Sequence, residues 1–225
     1  ERIAKKHKLK VIYDGAHAFG VTYKGKSIFE YGDVSTCSFH ATKLFHTGEG
    51  GALFCKDPEL FHQLYYSHNF GHNGPLDFHG LGINGKMSEL QAAMGLSVLP
   101  YMELIIEKRA EIVKEYAEKL EGLNLYYLRT PQQTEWNYSY FPVLLDGEES
   151  LITLEKQLHE AGILPRRYFY PSLSTLAYVV AQDLPMAESA AKRILCLPLF
   201  VGLESHSIEK IAEIINIVTI QNQGV

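Results

Sequence analysis

A chain of 225 residues, 46% of them hydrophobic, carries enough apolar material for one large domain or two small ones. Its formal charge of −5, with 21 basic residues spread without stripes, gives no broad attraction to nucleic acid or anionic lipid, and neither is expected as a partner. No apolar run approaches a membrane-spanning length and no basic-then-apolar leader opens the chain, so no membrane association is expected.

The opening ERIAKKHKLK reads as the tail of a helix entering a strand. From Val11 to about Leu104, short apolar strands alternate with glycine-rich turns and helices, the pattern of an α/β fold with a mostly parallel sheet. The strand candidates are Val11–Tyr13, Val34–Phe39 and Ala52–Cys55, and the YKGK run at Tyr23–Lys26 reads as a hairpin tip. Asp57 and Pro58 open a helix in which Leu60, Phe61, Leu64 and Tyr65 recur at helical spacing. A long loop rich in glycine, asparagine and histidine follows, from Asn69 to Lys86. Ser88 can cap the next helix, with Leu90, Ala93, Met94, Leu96 and Val98 on an apolar face, and Pro100 is expected to kink or break it. Tyr101–Leu120 reads as a charged amphipathic bridge into a second domain, which divides the chain at 1–104 and 105–225. Strands at Leu125–Leu128, Tyr138–Leu145 and around Ile163–Arg167, with helices near Leu151–Ala161 and from Ala187 and Ser207, complete an α+β unit. Cys37, Cys55 and Cys196 sit in apolar strand-like settings, as buried reduced thiols do, which implies a cytoplasmic protein.

The segment SFHATKLFHTGEGGA, Ser38–Ala52, presents Lys43 in a small polar turn between two apolar runs. A solvated lysine needs no such setting. An amine that bonds to an aldehyde needs a fixed position, restricted water and neighbours that move its protons. Upstream, the strand in VIYDGAHAFG ends in Asp14, and α/β folds place ligand-binding groups at the carboxyl ends of strands. A carboxylate there also serves as a cap for the turn starting at Gly15. The Ser38 hydroxyl suits a phosphate oxygen or its own backbone. His62, His68, His72 and His79 have no cysteine or carboxylate at ligand spacing, so no metal is expected. The GEGG run, Gly48–Gly51, lacks the ending of a nucleotide-binding P-loop and reads as tight-turn backbone beside Lys43.

These segments, with GINGKMSELQAAMGL at Gly82–Leu96 and ILPRRYFYPSL at Ile163–Leu173, resemble the DegT/DnrJ/EryC1/StrS family of sugar aminotransferases over nearly the whole chain. The likeness lies in order and spacing: Asp14 to Lys43 is 29 positions (43 − 14), Ser38 precedes Lys43 by five, and GEGG begins five after it. It implies a fold-type I, aspartate-aminotransferase-like transferase, with the C-terminal part of a large cofactor-binding domain at 1–104 and a small α+β domain at 105–225. Family members carry a further N-terminal stretch, so the chain resembles a truncated member. The implied cofactor is pyridoxal 5'-phosphate, with Lys43 as covalent anchor and proton carrier and Asp14 beside the ring nitrogen. His17 would lie against the ring and Ser38 at the phosphate. Asn84 would reach into the partner subunit's site, in a homodimer with shared active sites.

The implied reaction moves an amino group from glutamate to a nucleotide-linked keto-deoxysugar in glycan precursor synthesis. Arg166, Arg167 and Tyr168 fit a donor carboxylate or a diphosphate, or equally the basic edge of an exposed strand. Two other functions suit the same resemblance, a sugar dehydratase using the same cofactor and a non-catalytic sugar-nucleotide-binding fragment. Dehydratase relatives can replace the lysine by histidine, so Lys43 favours transamination. Gly15 stands where the family usually has alanine or cysteine, and Gly85-Lys86 where many members have an aromatic followed by arginine.

Overall fold

The computed structural model describes residues 1–180 and 182–221. In chain order the elements are α1 (Arg2–His7), β1 (Ile12–Asp14), β2 (Thr22–Tyr23), β3 (Lys26–Ser27), β4 (Val34–Ser38), β5 (Gly51–Cys55), α2 (Pro58–Ser67), α3 (Glu89–Val98) and α4 (Met102–Lys119). There follow β6 (Tyr126–Tyr127), β7 (Thr134–Glu135), β8 (Phe141–Leu144), α5 (Glu148–Glu160), α6 (Pro185–Arg193), β9 (Ile194–Leu197) and α7 (Ser205–Gln221).

Local chemistry sets the helix ends. The Asp57 carboxylate accepts the backbone N–H groups of Glu59 and Leu60 at 2.9 and 3.1 Å, and Pro58, which lacks an N–H, takes the first helical position of α2. Ser88 and Gln91 cap α3 reciprocally, the Gln91 N–H donating to Ser88 Oγ and the Ser88 N–H to Gln91 Oε1. Pro100 lies in a tight 3₁₀ turn, Leu99–Tyr101, that separates α3 from α4.

The chain forms two compact units. The first is Glu1–Glu103 with Thr130–Ser139, and the second is Leu104–Arg129 with Tyr140 onward. In the first unit one sheet has the order β1-β4-β5. β1 and β4 run parallel, with Asp14 level with Thr36, while β5 returns antiparallel with Ser38 opposite Gly51. Asp14 and Ser38 therefore stand at the same, carboxyl-terminal edge of neighbouring parallel strands. The YKGK tip closes the β2–β3 hairpin, and β7 pairs with β2 from far along the chain.

The second unit holds most of the described core. Its sheet is antiparallel, in the order β6-β8-β9. Leu151, Leu154 and Leu158 line one face of α5, and Ile208, Ile211, Ile215 and Val218 line one face of α7 at the spacing of a helix period. These side chains are buried, each worth about 1.5–3 kcal/mol relative to exposure.

Three expectations are corrected. Around Ile163–Arg167 no strand forms among the described residues; a single bridge joins Arg166 to Cys196, with backbone bonds of 2.9 and 2.8 Å. A proline at 165, which has no N–H to give a ladder, is one reason. The apolar face of α3 does not enter the core of this chain: Leu90 is 84% and Leu96 71% exposed, and Gly95 is the buried residue of that helix. Cys55 is half-buried, whereas Cys37 and Cys196 are buried, all three free thiols.

Leu154 has no exposed surface, so Leu154→Ala should destabilise the second unit by about 2–5 kcal/mol through lost contact and a residual cavity. Denaturant unfolding followed by circular dichroism measures this; a loss below about 1 kcal/mol would mean that the α5 face is not core.

Candidate active site

The turn after β1 is shaped by close backbone approach. A Cβ at Gly15 would stand 2.8 Å from both the Thr36 carbonyl oxygen and the Phe29 ring, so glycine is the residue that lets β1 turn beside β4 here. Asp14 Oδ1 accepts the Ala16 N–H at 3.0 Å, which fixes the carboxylate at the strand end.

Lys43 lies on a loop that is braced from both sides. The Phe39 N–H donates to the Gly50 carbonyl at 2.9 Å, Ala41 to Gly48 at 2.7 Å, and Thr47 back to Phe39 at 2.9 Å. Inside this ladder the Lys43 N–H donates to His40 at 2.9 Å. Ser38 Oγ accepts the His40 N–H at 3.3 Å, so that oxygen helps start the turn. Phe45 is buried against two rings, stacked on Phe19 at 4.5 Å and edge-on to Phe39 at 4.9 Å. A lysine two residues from such an anchor has a fixed origin for its side chain.

That side chain ends 2.8 Å from His17, Nζ against Nε2. An ammonium only donates, so Nε2 accepts and the ring proton belongs on Nδ1. Partial burial, then the Lys43 charge, lower the His17 pKa below its ordinary value, and the Asp14 carboxylate opposes them. His17 is therefore favoured in its neutral form, the state able to accept a hydrogen bond from Lys43. Cys37, beside Ser38, is no rival nucleophile: burial pushes its thiol up to about 11.

A cavity of about 340 Å³ opens at this turn, with Asp14, His17, Trp136 and Asn137 among its walls. A larger one, about 590 Å³, is lined by Cys37, Phe61, Tyr65, Asn84 and Lys86 and includes none of Asp14, His17, Ser38 or Lys43. The smaller cavity has the titratable Asp14 and His17 in its walls, though neither Ser38 nor Lys43, and the geometry favours it because His17 in turn meets Lys43 Nζ.

Of the residues singled out from sequence, Asp14, His17, Ser38 and Lys43 share one edge of the first unit. Asn84 does not join them: it bridges to Asn69 and accepts from Lys86 Nζ at 3.0 Å. Arg166, Arg167 and Tyr168 form a cluster of their own in the second unit. There the Arg166 guanidinium lies over the Tyr168 ring at 4.1 Å, while Arg167 pairs with Glu148 and covers Tyr170 at 3.6 Å. Trp136 and Asn137 escaped the sequence reading. They lie about 120 positions from the turn they meet, and no local signal marks them.

The site of this α/β chain thus sets a lysine 2.8 Å from an imidazole, beside the carboxyl edge of parallel strands. The family model described as DegT/DnrJ/EryC1/StrS aminotransferase matches residues 1–216, and the chain belongs to this family. Its fold is that of the fold-type I pyridoxal-phosphate-dependent transferases. The chain is 39% identical over 95% of its length to a dTDP-4-amino-4,6-dideoxy-D-glucose transaminase of Shigella dysenteriae, and covers 60% of that protein. It is 31% identical to a UDP-N-acetyl-3-dehydro-α-D-glucosamine 3-aminotransferase of Acidithiobacillus ferrooxidans, over 95% of this chain and 58% of that one. A family aminotransferase from Brucella abortus superposes with a TM-score of 0.87 at 28% identity, over 97% of this chain and 59% of its own. The chain thus spans about three fifths of the relatives it matches.

With its folded pKa depressed, His17 adds stability above about pH 6.5 that is lost as pH falls toward the folded value, where the unfolded chain takes up the proton first. The His17 ring should titrate below 6.5 by NMR, and His17→Gln should flatten that part of the stability–pH curve. A midpoint at or above 6.5 contradicts the pair.

Proposed function

We propose that this chain is the lysine-bearing part of an aminotransferase that uses pyridoxal 5'-phosphate to move an amino group, from glutamate, onto a nucleotide-linked keto-deoxysugar. The observation that carries the reading is the 2.8 Å approach of Lys43 Nζ to a neutral His17 beside Asp14. Family membership supplies the reaction class, and the named relatives act on dTDP- and UDP-linked sugars.

The residues present fit this cofactor in the chemistry of their donor set: an amine, a carboxylate and a hydroxyl at one strand edge, with a turn free of bulky side chains at Gly15. When bound, pyridoxal phosphate supplies an aldehyde that carries nitrogen and a ring that accepts the electron pair left by a lost proton. Lys43 would hold it through Nζ. Once displaced by an amino donor, the same amine would take a proton from the substrate carbon and return it elsewhere, a role that suits a group with an imidazole in reach. His17 accepts a hydrogen bond from Lys43 Nζ through Nε2, so it would orient the amine toward the cofactor. Asp14 would hold a positive charge on the ring nitrogen, and Ser38 Oγ would donate to the phosphate.

A homodimer with shared sites belongs to the same reading. Leu90 and Leu96 on α3, and Leu81 and Ile83 on the loop that carries Asn84, are exposed apolar side chains that a second copy would cover. Asn84 would then serve the partner subunit's site. No helix among the described residues is long and apolar enough to cross a membrane.

Borohydride treatment of the cofactor-loaded protein, followed by peptide mass mapping, should leave a pyridoxyl group on Lys43. Lys43→Ala should lack it and lose glutamate-dependent amination of the nucleotide keto-sugar by at least about 10²–10⁴-fold. Label on another lysine, or none, would refute the reading. For the dimer, Leu90→Glu should shift sedimentation toward the monomer, and an unchanged profile would remove α3 from the interface.

A further inference from the structure

Asn137 belongs to the short Thr130–Ser139 segment, which packs with the first unit although the residues on both sides of it belong to the second. Its side chain is 1% exposed and is engaged at both ends. Nδ2 donates to the carbonyl oxygens of His17 at 2.9 Å and Phe19 at 2.7 Å, and Oδ1 accepts the Ser139 N–H at 3.1 Å. The two carbonyls it grips belong to the two residues whose side chains reach the Lys43 loop. His17 meets Lys43 Nζ, and Phe19 stacks on Phe45. The segment itself is tied by β7 to β2 and by Thr22 Oγ1, which donates to Glu135 Oε2 at 2.7 Å.

We infer that Asn137 is a positioning residue, which by clamping the His17 and Phe19 carbonyls keeps the His17 imidazole within hydrogen-bond reach of Lys43. The catalytic consequence rests on the aminotransferase reading; the clamp itself rests on geometry. Few side chains can substitute. A primary amide places two N–H donors and an acceptor on one short planar group, whereas serine offers one donor and an aliphatic residue none. Removing the donors would take the amide away from both carbonyls, and the turn would move to find new partners. The charges that act on His17 include Lys43 and Asp14, and a turn that moves off the Lys43 loop would lengthen the 2.8 Å contact with Lys43.

The test uses intact protein freed of pyridoxal phosphate, with ¹³C-labelled histidine rings and the His17 signal assigned by its loss in His17→Gln. Asn137→Leu keeps the volume and removes both donors. Asn137→Ser keeps one donor and is the milder change. Both should move the His17 midpoint upward toward its ordinary value, serine by less, as the ring leaves the Lys43 charge and meets more water. Thr22→Ala cuts another tie of the same segment and should leave the midpoint in place. In the loaded enzyme, either Asn137 variant should lower kcat, by up to about 10²-fold, with KM for the sugar little changed.

A midpoint unmoved in the folded Asn137 variants overturns the inference, as does an equal shift in Thr22→Ala. Should Asn137→Leu fail to fold, Asn137→Ser decides alone. These outcomes separate from the aminotransferase reading: failure of Lys43 to take pyridoxal phosphate would sink that reading and leave the titration result standing. An unmoved midpoint would do the reverse.

Discussion

An amine and an imidazole 2.8 Å apart are a relationship that water dissolves unless the backbone on both sides is held. Lysine has a long stem with several rotatable bonds, and fixing it costs up to about 2 kcal/mol of rotamer entropy. Here that cost is offset by rigid starting points. The Lys43 loop is cross-braced by Phe39, Ala41 and Thr47 backbone bonds and pinned by the buried Phe45 ring, and the His17 turn is clamped at its carbonyls. Burial and, after it, the Lys43 charge favour the neutral histidine, which offers the cation an acceptor.

The surroundings follow from the same constraint. β1 and β4 must be parallel neighbours for Asp14 and Ser38 to share an edge, and the Gly15 contact with the Thr36 carbonyl lets the chain leave β1 without pushing β4 away. Gly95 shows a similar close approach, since a Cβ there would stand 2.9 Å from Thr47 Cγ2, and this brings α3 against the Lys43 loop. A helix so placed has its smallest residue inward and its leucines outward. That explains why an apparently core-forming pattern leaves apolar surface exposed.

The two units divide the labour differently. The second builds its stability from leucine and isoleucine stripes on α5 and α7, and its Arg167 pairs with Glu148 and covers the Tyr170 ring. The first has few fully buried side chains among its described residues and depends more on polar ties, with Ser35, Thr47 and Asn137 buried beside Cys37 and Phe45. Polar ties of this sort are directional. They suit a site that needs positions held to within a few tenths of an ångström more than they suit bulk stability.

What the sequence determined by itself was whatever depends on near neighbours along the chain. Asp57-Pro58, the Ser88–Gln91 box and Pro100 specify helix ends through groups two or three residues apart, and the order Asp14, Ser38, Lys43, GEGG marks the family because the strands and turn between them have nearly fixed lengths. Around Ile163–Arg167 apolar composition does not reveal whether a paired ladder is available, and Pro165 denies one a donor. Only the tertiary structure decided that Lys43 would face His17, that α3 would turn its leucines outward, and that Asn137 would return from about 120 positions away to hold the turn. Such contacts arise from folding in three dimensions, where distance along the chain places no bound on proximity and a single buried amide carries no local pattern to announce it.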